Sequence, residues 1–151
     1  MERKFLTDAM LGSLAKWLRV LGCDTHYQNR YKAGELRDLI AGGRVLLSRN
    51  RKTIEHHPGA VLILSEKLRE QILQMKSSGM IPPREEEWFT RCLLCNALLE
   101  PADTLEPEGV VPEYVYYEKT GGIRRCPACR RFFWPGTHRE KMIMHLREWG
   151  L

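Results

Sequence analysis

Residues 1–79 alternate short apolar runs with stretches of helical period. Lys4–Thr7 leans apolar, ends at Asp8 and predicts a strand. Leu11, Leu14, Ala15, Leu18 and Leu21 then recur at helical spacing, and Gly22 predicts the stop. Asp24–Tyr27 predicts a second strand, and Glu35–Ala41 a short helix ended by Gly42 and Gly43. Val45–Ser48 (VLLS) and Val61–Leu64 (VLIL) read as buried strands. Ser65 is expected to cap a helix that carries Leu68, Ile72 and Met75 and stops at Gly79. Strands that are continuously apolar suit a parallel sheet covered on both faces. The predicted fold class is therefore α/β, a small layer fold.

Residues 80–90 (MIPPREEEWFT) hold a proline pair and three glutamates, and predict a linker whose charges are solvated. Residues 91–151 form a second unit with strand-like sequence at Tyr114–Tyr117. A final helix carries Met142, Leu146 and Trp149 on one face. A unit of this size has a thin core and needs something besides burial to hold it.

The cysteines supply a candidate. Cys92 and Cys95 lie in RCLLC, Cys126 and Cys129 in RCPAC, and Cys23 stands alone upstream. Two C-x-x-C turns place four thiolates tetrahedrally around Zn2+, and the metal bonds stand in for the missing core. A redox motif needs only one such turn. With all four positions filled by cysteine the expected Zn2+ is structural. His138 and His145 are not needed as ligands, and His138 is expected to cap or contact the final helix. Cys23 reads as a small core residue.

The chain has 151 residues, 43% of them hydrophobic, and a net charge of +5, which is globular with a modest bias toward polyanions. No apolar run approaches the roughly 20 residues of a membrane span. The charged start MERKFLTD lacks a signal-peptide core, and an odd cysteine count argues against a disulfide framework. The expectation is a reducing, cytoplasmic setting.

Charge is segregated in the second unit. Residues 100–118 hold Glu100, Asp103, Glu106, Glu108, Glu113 and Glu118 with no base. Residues 119–139 hold Lys119, Arg124, Arg125, Arg130, Arg131 and Arg139 with no acid, beside Phe132, Phe133 and Trp134. Arginines bind phosphates and aromatic faces stack unpaired bases, so this half is a candidate RNA surface. The other reading has Phe132 and Trp134 packing the ribbon and the arginines solvated.

In parallel sheets ligands gather at the carboxyl ends of the strands. Asp8 follows the first strand, Asn50 follows VLLS, and Glu35 and Asp38 lie on the helix between. Metal-dependent nucleases need carboxylates converging on Mg2+ or Mn2+. Asp8 also reads as a helix N-cap, which is the reading that spacing alone favours.

Four segments, FLTDAMLGSLAKWLRVLGCDTHY, GRVLLSRNR, RCLLCNALLE and RCPACRRFFWPGTHREKM, together resemble the Mut-seven C-terminal RNase family. They follow the family's order over nearly the whole chain. The resemblance implies a PIN-like α/β/α sandwich over residues 1–79 and a C-terminal zinc ribbon over 91–151. It also implies an acidic divalent-metal site containing Asp8, and RNA as substrate. Two departures stand out. The family ends its VLLS-type strand with T-R-D, where this chain has Asn50, a neutral and weaker ligand. The family's acidic cluster before the intervening helix reads TyrLysAlaGlyGluLeu here, leaving Glu35. Lys32, Arg49, Arg51 and Lys52 surround the region instead, a set that binds phosphate better than Mg2+. The expected function is a metal-dependent endoribonuclease with a partly degenerate acidic site. A non-catalytic module binding RNA or a ribonucleoprotein such as the ribosome stays open, as does a protein adaptor that docks a basic partner on the acidic half.

Overall fold

The computed structural model describes residues 3–103, 107–118 and 122–151. Four parallel strands form its larger sheet: β1 (Lys4–Thr7), β2 (Thr25–His26), β3 (Arg44–Ser48) and β4 (Val61–Leu62). Their order is β2-β1-β3-β4. Phe5, Leu6 and Thr7 are buried in succession, as are Leu46, Leu47 and Ser48. Burial without alternation means that both sheet faces are covered, the physical reason these strands are continuously apolar.

Helices α1 (Gly12–Val20), α2 (Glu35–Ala41), α3 (Arg51–His56) and α4 (Leu68–Ser77) flank the sheet. Leu14, Ala15 and Leu18 on α1 and Ile72 and Met75 on α4 are buried, matching the helical period, and Cys23 lies in the same core. Helix α3 is an addition to the expected elements. One expectation is corrected: Ser65 does not cap α4, which starts at Leu68 with Lys67 as its N-cap residue. Ser65 instead accepts from the Lys67 N–H and donates to the Glu70 carboxylate, closing a turn ahead of the helix.

By contacts the chain divides into two compact units, Met1–Asn96 and Ala97–Leu151. The stretch 80–90 lies within the first. Its 3-10 turn Glu85–Glu87 leads to Phe89, whose N–H donates to the Val20 carbonyl at 2.8 Å. Arg91 Nε donates to the Gly22 carbonyl at 3.1 Å. Gly22 has φ +85°, and a Cβ there would stand 2.5 Å from the Glu87 carbonyl oxygen. Only glycine lets this segment cross the end of α1 so closely.

In the second unit β5 (Glu100–Pro101), β6 (Arg124–Arg125) and β7 (Phe132–Phe133) form an antiparallel ribbon. Helix α5 (Glu113–Glu118) occupies the place expected for a strand at Tyr114–Tyr117. The Pro112 carbonyl accepts from the Val115 and Tyr116 N–H groups. Val111 and Val115, four residues apart, then bury one face against Ile123, while Tyr114 and Tyr117 stay exposed. The i, i+4 burial outweighs the strand preference of aromatic and β-branched residues. Helix α6 (Thr137–Glu148) buries Met142 and Leu146. His138 does not cap it: the N-cap residue is Gly136, and His138 is exposed. Glu106 and Lys119 lie outside the described residues. No described helix is long and apolar enough to cross a membrane.

Candidate active site and four-cysteine centre

β1 and β3 are the central strands, and the chain leaves them toward opposite edges of the sheet. In an open parallel sheet this reversal marks the crevice where ligands bind. Asp8 is the first residue past β1. One of its carboxylate oxygens accepts from the Ser48 hydroxyl, and the other accepts from the Met10 N–H at 2.9 Å. The Ser48 oxygen in turn accepts from the Asn50 N–H at 3.0 Å. Ser48 therefore joins the ends of β1 and β3 across the crevice.

Asn50 is the N-cap of α3, its side-chain oxygen accepting from the N–H groups of Lys52 at 2.9 Å and Thr53 at 3.3 Å. Asp8 likewise caps the 3-10 turn Ala9–Leu11. Capping does not exhaust Asp8, because each carboxylate oxygen keeps a second lone pair. Glu35 turns back on its own loop, accepting from the Lys32 N–H at 2.7 Å. Asp38 is exposed on the first turn of α2. Arg49, Arg51 and Lys52 are exposed around the start of α3.

Tyr31 was not among the expected site residues. Its hydroxyl donates to the Thr7 carbonyl at 2.7 Å, immediately before Asp8, and accepts from the Gln28 N–H at 3.0 Å. Burial, reinforced by the Asp8 and Glu35 carboxylates, pushes the phenol up to about 12. Tyr31, Asp8 and Glu35 thus share one neighbourhood. Ser48 was missed as well, although a serine ending a buried strand two residues before an N-cap asparagine is a readable signal. Tyr31 had none, because its bond to Thr7 spans 24 residues.

The four expected cysteines come together: the sulfurs of Cys92, Cys95, Cys126 and Cys129 all lie within 4.8 Å of one another. Tetrahedral bonds of about 2.3 Å to zinc require sulfurs about 3.8 Å apart, so these thiolates can bind Zn2+. The two turns repeat one geometry. The N–H of Cys95 points to the Cys92 sulfur at 3.3 Å, and that of Cys129 to the Cys126 sulfur at 3.4 Å. Asn96 and Arg130, each following its turn, sit at φ +68° and +64° and donate to the Cys92 and Cys126 carbonyls. Among the described residues this is the group of three or more histidine, cysteine or acidic ligands close enough to share an ion. Asp8, Glu35 and Asp38 are not gathered in that way, and neither His138 nor His145 joins the cysteines.

The first turn is tied into the first unit. Arg19, 6% exposed, donates from Nε to the Thr25 carbonyl and from a terminal nitrogen to the Leu93 carbonyl. Burial lowers its guanidinium below the ordinary arginine value, against the raising pull of Cys92 and Cys95. Asn96 accepts from the Thr25 N–H at 2.9 Å and donates to Asp24 at 2.6 Å. Asp24 also pairs with Arg44 at 2.8 Å.

On the ribbon, register places Arg124 opposite Phe133, and Arg125 opposite both Glu100 and Phe132. Opposed residues share a face. Arg125 pairs with Glu100 at 3.0 Å, so that arginine serves the ribbon itself. Phe132 and Trp134 pack against the Val111, Val115 and Ile123 core, whereas Phe133 points with Arg124 to the other face. Arg130 and Arg131 are exposed. Arg139 is lowered below the ordinary arginine value by burial and by Arg124 nearby.

The sequence profile of the Mut7-C RNAse domain matches residues 3–146. The match covers nearly the whole chain, and the chain belongs to that family. No curated protein and no solved structure matches it.

Proposed function

From that membership we propose that the chain is a divalent-metal-dependent endoribonuclease whose site lies at the carboxyl ends of β1 and β3. The observation that carries this reading is the Asp8–Ser48–Asn50 chain of hydrogen bonds at the reversal point of the sheet. Asp8 is the principal metal ligand, with Glu35 as the second carboxylate. Mg2+ is commonly bound by one or two carboxylates together with water and substrate phosphates, and this oxygen donor set fits that pattern. When bound, Mg2+ or Mn2+ supplies an activated water and positive charge beside the leaving oxygen. The chain's own residues do the rest. Ser48 fixes the Asp8 carboxylate, Asn50 fixes the start of α3, and Arg49, Arg51 and Lys52 take phosphates of the strand. Arg124, Arg130, Arg131 and Phe133 on the ribbon extend the RNA contact, while the four cysteines hold a structural Zn2+. A reducing compartment such as the cytoplasm suits those thiolates.

A second reading, a non-catalytic module for RNA or a ribonucleoprotein such as the ribosome, is favoured by one observation. The amide of Asn50 stands where a carboxylate would serve the metal, and its oxygen is engaged in capping. Asn50→Asp separates the two, because aspartate caps as well as asparagine does. Folding is expected to be unchanged and Mn2+-dependent RNA cleavage to rise. Unchanged or lower cleavage in a folded Asn50→Asp protein would count against a metal site at this position.

A further inference from the structure

Beside the Asp8 site the first unit carries a cavity of about 260 Å³, lined among others by Tyr31, Lys32, Gly34, Leu36, Arg37 and His57. No acid lines it. We propose that this cavity holds one nucleotide of an RNA strand, with its base against Tyr31 and Leu36 and its phosphate on Lys32 and Arg37. The inference rests on the RNA-directed reading above but does not require cleavage.

The wall is built in advance. The Tyr31 hydroxyl is held from two sides, by the Thr7 carbonyl at 2.7 Å and the Gln28 N–H at 3.0 Å. The ring therefore loses little freedom when a base stacks on it. The Lys32 N–H donates to the Glu35 carboxylate at 2.7 Å, which fixes the loop at the residue that lines the cavity. Lys32 and Arg37 are exposed, so their charges meet a phosphate at little desolvation cost. The mouth is open at Gly34, where a Cβ would meet nothing within 4 Å.

Size and composition select the ligand. At about 260 Å³ the cavity lies just below the roughly 300–1,000 Å³ of small-molecule sites, so it takes no more than one nucleotide. A bare phosphate would leave the apolar part of the lining, Ala33 and Leu36, uncovered. The bond from Tyr31 to the Thr7 carbonyl ties the wall to the residue preceding Asp8.

The test is a titration of the full zinc-loaded chain with adenosine 5′-monophosphate, without added divalent metal, followed through backbone amide shifts. Inorganic phosphate is titrated in parallel. Saturable shifts are expected in residues 31–37 and at His57, with phosphate at least roughly tenfold weaker. Arg37→Glu, at an exposed position that leaves the fold intact, is expected to weaken the nucleotide about tenfold. Because no divalent metal is added, the titration reads nucleotide binding apart from cleavage. Three results would overturn it: unmoved amides in residues 31–37, equal affinity in Arg37→Glu, or equal affinity for phosphate alone. Nucleotide binding in a protein that cleaves no RNA would sink only the nuclease reading.

Discussion

Replacing Asn96 by alanine tests whether the first cysteine turn helps hold the parallel sheet. The Asn96 side chain accepts from the Thr25 N–H and donates to the Asp24 carboxylate. Thr25 is fully buried, so no water replaces the lost partner. An unsatisfied buried N–H costs about 1–3 kcal/mol, and the bond to a charged group contributes about 1.5–3 kcal/mol. Alanine at φ +68° adds strain of about 1 kcal/mol. The expected loss for Asn96→Ala is therefore about 3.5–7 kcal/mol in the first unit. Asn96→Gly removes the same bonds without the strain and is expected to lose about 1 kcal/mol less. Native-state hydrogen exchange of the Phe5 and Leu6 amides reads this unit by itself. A loss of 3 kcal/mol corresponds to protection lower by roughly 150-fold. Protection within threefold of the parent in Asn96→Ala would refute the idea that the turn braces β2.

Three further outcomes follow from the same geometry. Purified protein is expected to contain one zinc per chain, lost in Cys126→Ser, with faster amide exchange in β5–β7; metal-free protein with an equally protected ribbon would oppose it. Burial raises the Asp24 carboxyl, but bonds from Asn96 and Arg44 and the charges of Arg44 and Arg91 outweigh it and hold it below the usual carboxylate range. That stability is complete above the unfolded value near 3.9 and is lost as pH falls through the lower folded value. An acid titration should thus show a shallower stability loss for Asp24→Asn, and coincident acid limbs would contradict the assignment. RNA affinity is expected to fall with salt by roughly 0.7 log units per phosphate contact per decade. A variant with alanine at Arg124, Arg130 and Arg131 should have a flatter slope, and an unchanged slope would remove the ribbon from the RNA surface.

The strands that place Asp8 were legible because burial on both faces demands unbroken apolar runs, as in Val45–Ser48. The cysteine centre was legible because metal-binding turns have fixed local spacing. Tyr114–Tyr117 misled because aromatic content there favours a strand, while the decisive signal lay in Val111 and Val115, partly outside the run. Ser65 misled because serine closes turns ahead of helices as readily as it caps them. The role of Asn50 as the cap of α3 was not legible, because α3 itself was not expected. The bonds of Arg19 to Leu93, of Asn96 to Thr25 and of Tyr31 to Thr7 join residues far apart in sequence, and no local pattern encodes such pairs.

The central claim, RNA cleavage at the ends of β1 and β3, rests most directly on Asp8. The decisive measurement is cleavage of an end-labelled single-stranded RNA in millimolar Mn2+ by the parent and by Asp8→Asn, with zinc content and folding matched. Metal-dependent internal cleavage by the parent, abolished by the substitution, is the predicted result. Equal cleavage by the two proteins, or none by the parent, would contradict the account.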